Sequence, residues 1–233
     1  FSGVLVPALT PFGRDLAPDA AKLSSYCRWL LASGANGLAV FGTTSEANSL
    51  SLDERKSLLE TLIDSGVPAS VLMPGTGLCA IPETVTLTRH ALAAGCGGVL
   101  MLPPFYYKGV GTDGLFAAFA EVIERVGETG LRIYLYHFPA MSGVPITLDL
   151  VERLIAAYPE TVVGLKDSSG DIANTLALLK HFPGLSVFPG SEKLLMEALG
   201  QGAAGCISAT ANLNVGAIRR LIDSYPGPAA EEL

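Results

Sequence analysis

Lys166 closes an unbroken apolar run, Val162-Val163-Gly164-Leu165, and is followed at once by Asp167. An ammonium at the buried end of such a run is poorly solvated, so burial favours the neutral amine, a nucleophile able to attack a carbonyl carbon and form a Schiff base. The same side chain could instead extend its stem to solvent or pair with Asp167. Tyr136 ends a second apolar run, Ile133-Tyr134-Leu135. A phenol beside that amine could carry protons to and from a carbinolamine, although a tyrosine in a strand is as readily a packed residue with a satisfied hydroxyl. Gly42-Thr43-Thr44-Ser45-Glu46 supplies hydroxyls and consecutive backbone N–H groups. That is a cradle for a carboxylate or an ordinary turn. Together the three features describe attack on the carbonyl of an acid, provided that one face of the fold collects them.

The elements that must position them alternate regularly. Strand candidates lie at 4–9, 37–42, 70–75, 98–102, 132–137, 162–166, 185–189 and 205–209. Helical periodicity covers 18–33, 53–65, 82–94, 113–126, 147–157, 171–181, 192–200 and 214–224. Ser51 to Glu54 has the form of a capping box, Thr147 and Asp171 are N-cap candidates, and Gly34, Gly66, Gly95 and Gly127 fall where helices should stop. The strands are near-continuous apolar runs, as in parallel strands covered on both faces. Eight such βα units close into a single α/β domain over 1–233, a (β/α)8 TIM barrel, with a doubly wound open sheet as the alternative. In such a barrel the chemistry sits at the C-terminal ends of the strands, where Lys166, Tyr136 and the Thr43-Thr44 loop all fall.

Composition removes other classes. The 233 residues carry 15 Lys and Arg against 22 Asp and Glu, a net charge of −7, with no basic cluster, so neither a nucleic acid nor an anionic membrane is expected as partner. The uncharged stretches 91–107 and 198–218 are broken by Gly and Pro pairs or by polar residues and do not read as spanning helices. The first residues show no basic secretory n-region, and Cys27, Cys79, Cys96 and Cys206 form no CxxC pair. Reduced thiols in a cytoplasmic protein are expected. His90, His137 and His181 are too few and too separated for a metal cage. His181 ends a helical segment that Gly184 can terminate.

The ordered set Thr10-Pro11-Phe12, GTTSE at 42–46, PPFYY at 103–107, YxxP at 136–139, GLKDSSGD at 164–171 and GCISATAN at 205–212 resembles the dihydrodipicolinate synthase/N-acetylneuraminate lyase family of Schiff-base 2-oxo-acid aldolases. The resemblance runs from Gly3 to about Tyr225. It implies that Lys166 forms a covalent imine with pyruvate or a related 2-oxo acid, so that no separate cofactor is needed. It further implies that Tyr136 shuttles protons, that Thr43 relays them, and that Thr43 and Thr44 hold the carboxylate. Tyr106 matches a tyrosine that completes the neighbouring subunit's site in a homodimer or homotetramer, and Ile207 a residue whose backbone carbonyl faces the pyruvyl group. Gly190-Ser191-Glu192 is similar to the hydroxyl-binding segment of the neuraminate lyases, with Ser191 in place of an acidic residue.

Departures bear on the second substrate, an aldehyde or a sugar-derived acid. Met141 stands where dihydrodipicolinate synthases carry an arginine, and a thioether cannot replace a bidentate guanidinium. Feeble activity toward aspartate semialdehyde is therefore expected. The resemblance also admits a dehydratase of 2-oxo-3-deoxy sugar acids working through the same imine. A barrel that binds a 2-oxo acid without turnover is the reading outside enzymology. His137 takes the place of a commoner asparagine. The chain ends shortly after the eighth helix, so the family's C-terminal helical segment is expected to be absent or truncated.

Overall fold

Strands that bury both faces need partners on both, and the computed structural model, which describes residues 1–227, supplies them as a ring of strands inside a ring of helices. β1 (Gly3–Val6), β2 (Gly37–Leu38), β3 (Val99–Met101), β4 (Ile133–His137), β5 (Val162–Asp167), β6 (Ser186–Pro189) and β7 (Gly205–Cys206) form two parallel sheets, ordered β2-β1-β7 and β3-β4-β5-β6. Two seams join the sheets into a barrel. At the first, residues 72–76 lie between β2 and β3: Met73 N–H donates to the Leu38 carbonyl at 2.9 Å and Thr76 N–H to the Leu100 carbonyl at 3.0 Å. At the second, Ala204 N–H donates to Val187 at 2.9 Å and Ile207 N–H to Pro189 at 3.1 Å.

The helices are α1 (Ala20–Ala32), α2 (Leu52–Asp64), α3 (Ile81–Ala93), α4 (Thr112–Val126), α5 (Pro139–Ser142), α6 (Leu148–Ala157), α7 (Ile172–His181), α8 (Leu195–Gly200) and α9 (Ala211–Ser224). The capping box forms as expected, with Ser51 accepting from Glu54 N–H and the Glu54 carboxylate accepting from Ser51 N–H at 2.8 Å. Thr147 and Asp171 cap α6 and α7 through their side-chain oxygens, and Gly127 ends α4 in the left-handed conformation at φ 62°.

Several expected boundaries move, each for a local reason. The third strand is reduced to bridges at Leu72 and Gly75, because Pro74 has no N–H to give β3 and the chain enters from a 3₁₀ turn at Ala69–Val71. β2 stops at Leu38, short of Phe41, whose φ of 56° takes the chain out of extended geometry. β7 stops at Cys206, since Ser208 and Thr210 already belong to the turn that starts α9. The segment 192–200 splits into a 3₁₀ turn, Glu192–Leu194, and the shorter α8. α7 is closed by Phe182 rather than Gly184. α5, one turn long, has no counterpart in the periodicity.

The interior separates into two apolar clusters, as strand alternation requires. Val4, Val6, Leu38, Val99, Leu135, Leu165 and Val187 face the helices. Leu5, Ala39, Met73, Leu100, Tyr134, Phe188 and Ile207 face inward and fill the barrel. Gly164 contributes no side chain to this filling, and for a steric reason: a Cβ there would sit 2.2 Å from Tyr134 Cδ1 and 2.7 Å from the Ser186 carbonyl oxygen. The Tyr134 ring occupies the space two residues below Lys166. Overpacking such a site costs about 1–3 kcal/mol. Gly164→Ala should therefore lower the urea midpoint of unfolding by a corresponding amount, and an unchanged midpoint would mean that the Tyr134 ring moves aside freely.

Candidate active site

The parallel register of β4 and β5 sets Tyr136 opposite Lys166 and His137 opposite Asp167. Side chains in register share a face, so the first pair points into the barrel and the second toward the helices. Lys166 is 5% exposed and Tyr136 3%. Lys166 Nζ donates to Tyr136 Oη at 3.2 Å, and Tyr136 Oη donates to Thr43 Oγ1 at 3.3 Å, which makes a three-residue chain of polar atoms at the barrel mouth. Lys166 Nζ also lies 4.3 Å from the Tyr136 ring centroid.

Asp167 is not the partner of Lys166. Its carboxylate accepts from Ser169 N–H at 3.0 Å, Asn174 Nδ2 at 3.0 Å and Thr175 Oγ1 at 2.7 Å, on the opposite face of the strand. It ties the end of β5 to the first turn of α7. Among the described residues no carboxylate comes within ion-pairing distance of Lys166. The lysine is neither extended to solvent nor neutralised by a neighbour.

A cavity of about 200 Å³ opens above this group, lined by Thr44, Tyr136, Lys166, Gly190, Ser191 and Ile207 among others. Phe138, which the sequence reading gave no role, stacks on Tyr136 with ring centroids 5.8 Å apart and forms part of the same wall. Thr43 lies on the other side of Tyr136 and lines a smaller cavity of about 30 Å³. The loop that carries Thr43 and Thr44 is pinned to the chain after β1: Ser45 Oγ donates to the Ala8 carbonyl and Thr10 Oγ1 to the Ser45 carbonyl at 2.7 Å. Both residues stand in the quoted motifs, and their work is to hold the loop.

The remaining sequence candidates are placed as follows. Glu192 accepts a hydrogen bond from Ser208 Oγ at the edge of the mouth, and Ser208 Oγ lies 2.9 Å from Thr210 Oγ1. Burial raises the Glu192 carboxyl, but the hydroxyls of Ser208 and Thr210 outweigh it and hold the group below the usual carboxylate range. Tyr106 is 73% exposed and packs edge-on against Tyr107, and Met141 is 64% exposed on α5. Neither enters the wall of its own chain's cavity. Burial pushes the Cys27, Cys96 and Cys206 thiols up to about 12, which leaves them unreactive. Among the described residues no three His, Cys, Asp or Glu side chains gather into a metal site, and no helix is long and apolar enough to cross a membrane.

His137 acquires a role that its sequence position did not disclose. Its Nδ1 accepts the Ile146 N–H at 3.0 Å, so this nitrogen carries no proton and the imidazole anchors the segment after α5. Burial pulls its pKa below the ordinary value, partly opposed by the charge of Asp167. The unfolded chain therefore takes up a proton at higher pH than the folded one. The contribution is whole above the unfolded value near 6.5 and is lost as the pH falls to the folded value. Urea unfolding of the native protein should show lower stability at pH 5 than at pH 7, and His137→Gln, whose amide oxygen can accept the same N–H, should show a smaller difference. Equal differences in the two proteins would remove His137 from the account.

The dihydrodipicolinate synthetase family model matches residues 1–231. A protein of Chloroflexus aurantiacus named as an uncharacterized DapA-like lyase is 36% identical over 224 residues, covering 96% of this chain and 74% of its own length. The crystal structure of dihydrodipicolinate synthase from Agrobacterium tumefaciens superposes with a TM-score of 0.91 at 34% identity, covering 94% of this chain and 76% of that one. YagE, a prophage protein of E. coli K12 belonging to the dihydrodipicolinic acid synthase family and solved in complex with pyruvate, superposes at 0.90 with 28% identity, over 100% of this chain and 78% of its own. The TIM barrel, the ordered motifs and these matches agree: the chain belongs to the dihydrodipicolinate synthetase family of Schiff-base aldolases and lyases.

Proposed function

We propose that Lys166 attacks the carbonyl carbon of pyruvate, or of a close 2-oxo acid, and that the resulting imine makes or breaks a carbon–carbon bond at the barrel mouth. The observation that carries this reading is the buried Lys166 amine, 3.2 Å from the Tyr136 hydroxyl and without a carboxylate partner among the described residues. Attack forms the C–N bond of a carbinolamine. Tyr136 delivers the proton with which its hydroxyl leaves as water, and recovers one through Thr43. Loss of a methyl proton from the imine to the Tyr136–Thr43 pair gives an enamine whose carbon adds to the carbonyl carbon of an aldehyde, the pair returning the proton to the aldehyde oxygen; hydrolysis of the product imine frees Lys166, and the reverse sequence releases pyruvate. Thr43 and Thr44, with the backbone N–H groups of their loop, hold the carboxylate. Ile207, Gly190 and Ser191 shape the opposite wall, and Glu192, bonded to Ser208, follows them at its edge. No metal or organic cofactor takes part, and the protein acts in the cytoplasm.

The second substrate follows from the other rim. Met141 offers no charge, and no arginine occurs between Arg132 and Arg153. A substrate whose far carboxylate needs a guanidinium is disfavoured there, and a hydroxyl-bearing 2-oxo-3-deoxy sugar acid suits the cavity-lining serines Ser168 and Ser191 better. Tyr106 and Tyr107, exposed together, suit a surface that a second copy covers, with Tyr106 reaching the partner's site.

Borohydride added during incubation with pyruvate should leave a reduced pyruvyl group on the peptide that contains Lys166, as read by mass spectrometry. Tyr136→Phe should slow turnover about 10²–10⁴-fold, the usual contribution of a positioned acid–base group. Unmodified Lys166 in active protein would end the reading. Sedimentation should show a dimer or tetramer at assay concentration, and an active monomer would remove Tyr106 from the site.

A further inference from the structure

The Tyr136 hydroxyl is held loosely by its own polar partners. Its contacts with Lys166 Nζ and Thr43 Oγ1 are 3.2 and 3.3 Å long, beyond the ~2.7–3.0 Å of most such bonds. Tyr136 also borders open space twice, in the cavity above Lys166 and in the smaller one that Thr43 lines. A ring with gaps beside it can rock unless a packed neighbour stops it. Phe138, two residues further along the same strand direction, is that neighbour: the rings stack with centroids 5.8 Å apart and planes inclined by 28°. The Phe138 backbone is itself clamped. Pro139 excludes the helical conformation at the residue before it, and Phe138 stands at φ −140°, ψ 68°. Its carbonyl accepts the N–H groups of Met141 and Ser142 at 3.1 and 2.8 Å, and Gly143 N–H closes the turn on the Pro139 carbonyl at 2.9 Å. Lys108 Nζ reaches over from the loop after β3 and donates to the Ser142 carbonyl at 2.5 Å.

We infer that Phe138 is the positioning residue for Tyr136, a flat stop that keeps the phenol hydroxyl between Lys166 and Thr43. The inference rests on the Schiff-base reading and adds to it the group that gives the proton shuttle its place. Proton transfer tolerates little misplacement, and a displacement of about 1 Å can cost about 10²-fold in rate. Two stacked rings meet over their faces, whereas a branched aliphatic side chain would touch the phenol at a few atoms and leave it room to tip toward the cavity. The one-turn α5 then has a reason to exist: it ties down the carbonyl of Phe138 and with it the plane on which Tyr136 rests. Phe138 also lines the cavity, so a wall for the substrate is the competing role, and the two differ in what they do to binding and to turnover.

Pyruvate alone is a sufficient probe, because enamine formation exchanges its methyl protons with D₂O, which proton NMR follows. Phe138→Leu keeps an apolar side chain and removes the flat face, whereas Phe138→Tyr keeps the face. Phe138→Leu should slow saturated exchange about 10–100-fold, with half-saturation by pyruvate changed by less than about threefold. Phe138→Tyr should stay within about threefold of the native rate. The decisive arm is a double-mutant cycle: in a Tyr136→Phe background, which has no hydroxyl to misplace, Phe138→Leu should cost less than about twofold more. Equal losses from Phe138→Leu in the two backgrounds overturn the inference, because they mark a residue that acts without the phenol. So does a native rate in Phe138→Leu, a Phe138→Tyr variant as slow as the Leu one, or a raised half-saturation at unchanged saturated rate, which marks a binding wall. If Phe138→Leu does not fold, Phe138→Met takes its place in the same cycle. Native protein that neither exchanges nor traps pyruvate overturns the Schiff-base reading and this inference together. Trapping in the native protein with additive losses in the cycle overturns the inference only.

Discussion

Lys166 and Asp167 are neighbours in the chain and opposites in space, because successive side chains of a strand leave by opposite faces. That separation governs what the site can be. With the carboxylate turned outward to Asn174 and Thr175, the amine inside meets a phenol and an apolar wall instead of a counter-ion. A one-residue slip of β5 against β4 would exchange the two and put a carboxylate in the barrel. The register is held by the ladder itself and by the hydrogen bonds of Ser168 N–H to His137 and of Gly190 N–H to Asp167, both at 2.7 Å.

Polar groups around the mouth divide into those that face the cavity and those that hold them still. Thr10, Ser45, Asp167 and His137 belong to the second kind: each makes a buried hydrogen bond to a loop or helix terminus. Such groups are expensive to bury unless satisfied, and satisfied they fix geometry to a degree that apolar packing does not. Arg55 shares features of both, with one bond to the Ala47 carbonyl and, among the described residues, one unpaired nitrogen.

The barrel and the position of Lys166 were legible in the sequence because both depend on features with a short range: apolar runs of strand length, caps such as Ser51 and Asp171, and the order of the motifs. Boundaries were less legible where a single residue overrides its neighbours. Pro74 erases most of a strand, and Phe41 leaves extended geometry although nothing in its type requires it. Long-range pairings were not legible at all. An arginine in a charged helical segment, Asp53-Glu54-Arg55-Lys56, reads as solvated, and only the fold turns it inward. The part of His137 depends in the same way on a backbone N–H nine residues on.

The Tyr134 ring, seated against Gly164 beneath the amine, fills the barrel below Lys166 together with Leu5, Met73 and Phe188, so the cavity faces the mouth. Whatever enters first lies deepest, and whatever enters second stands in its way out. In a barrel that works by the imine chemistry proposed above, this turns architecture into kinetics: the 2-oxo acid arrives before an aldehyde partner, and on cleavage the aldehyde departs before the enzyme is regenerated. The water expelled by the condensation has to escape by the same opening, so the vestibule empties and refills in a compulsory sequence that no residue of the mouth needs to enforce.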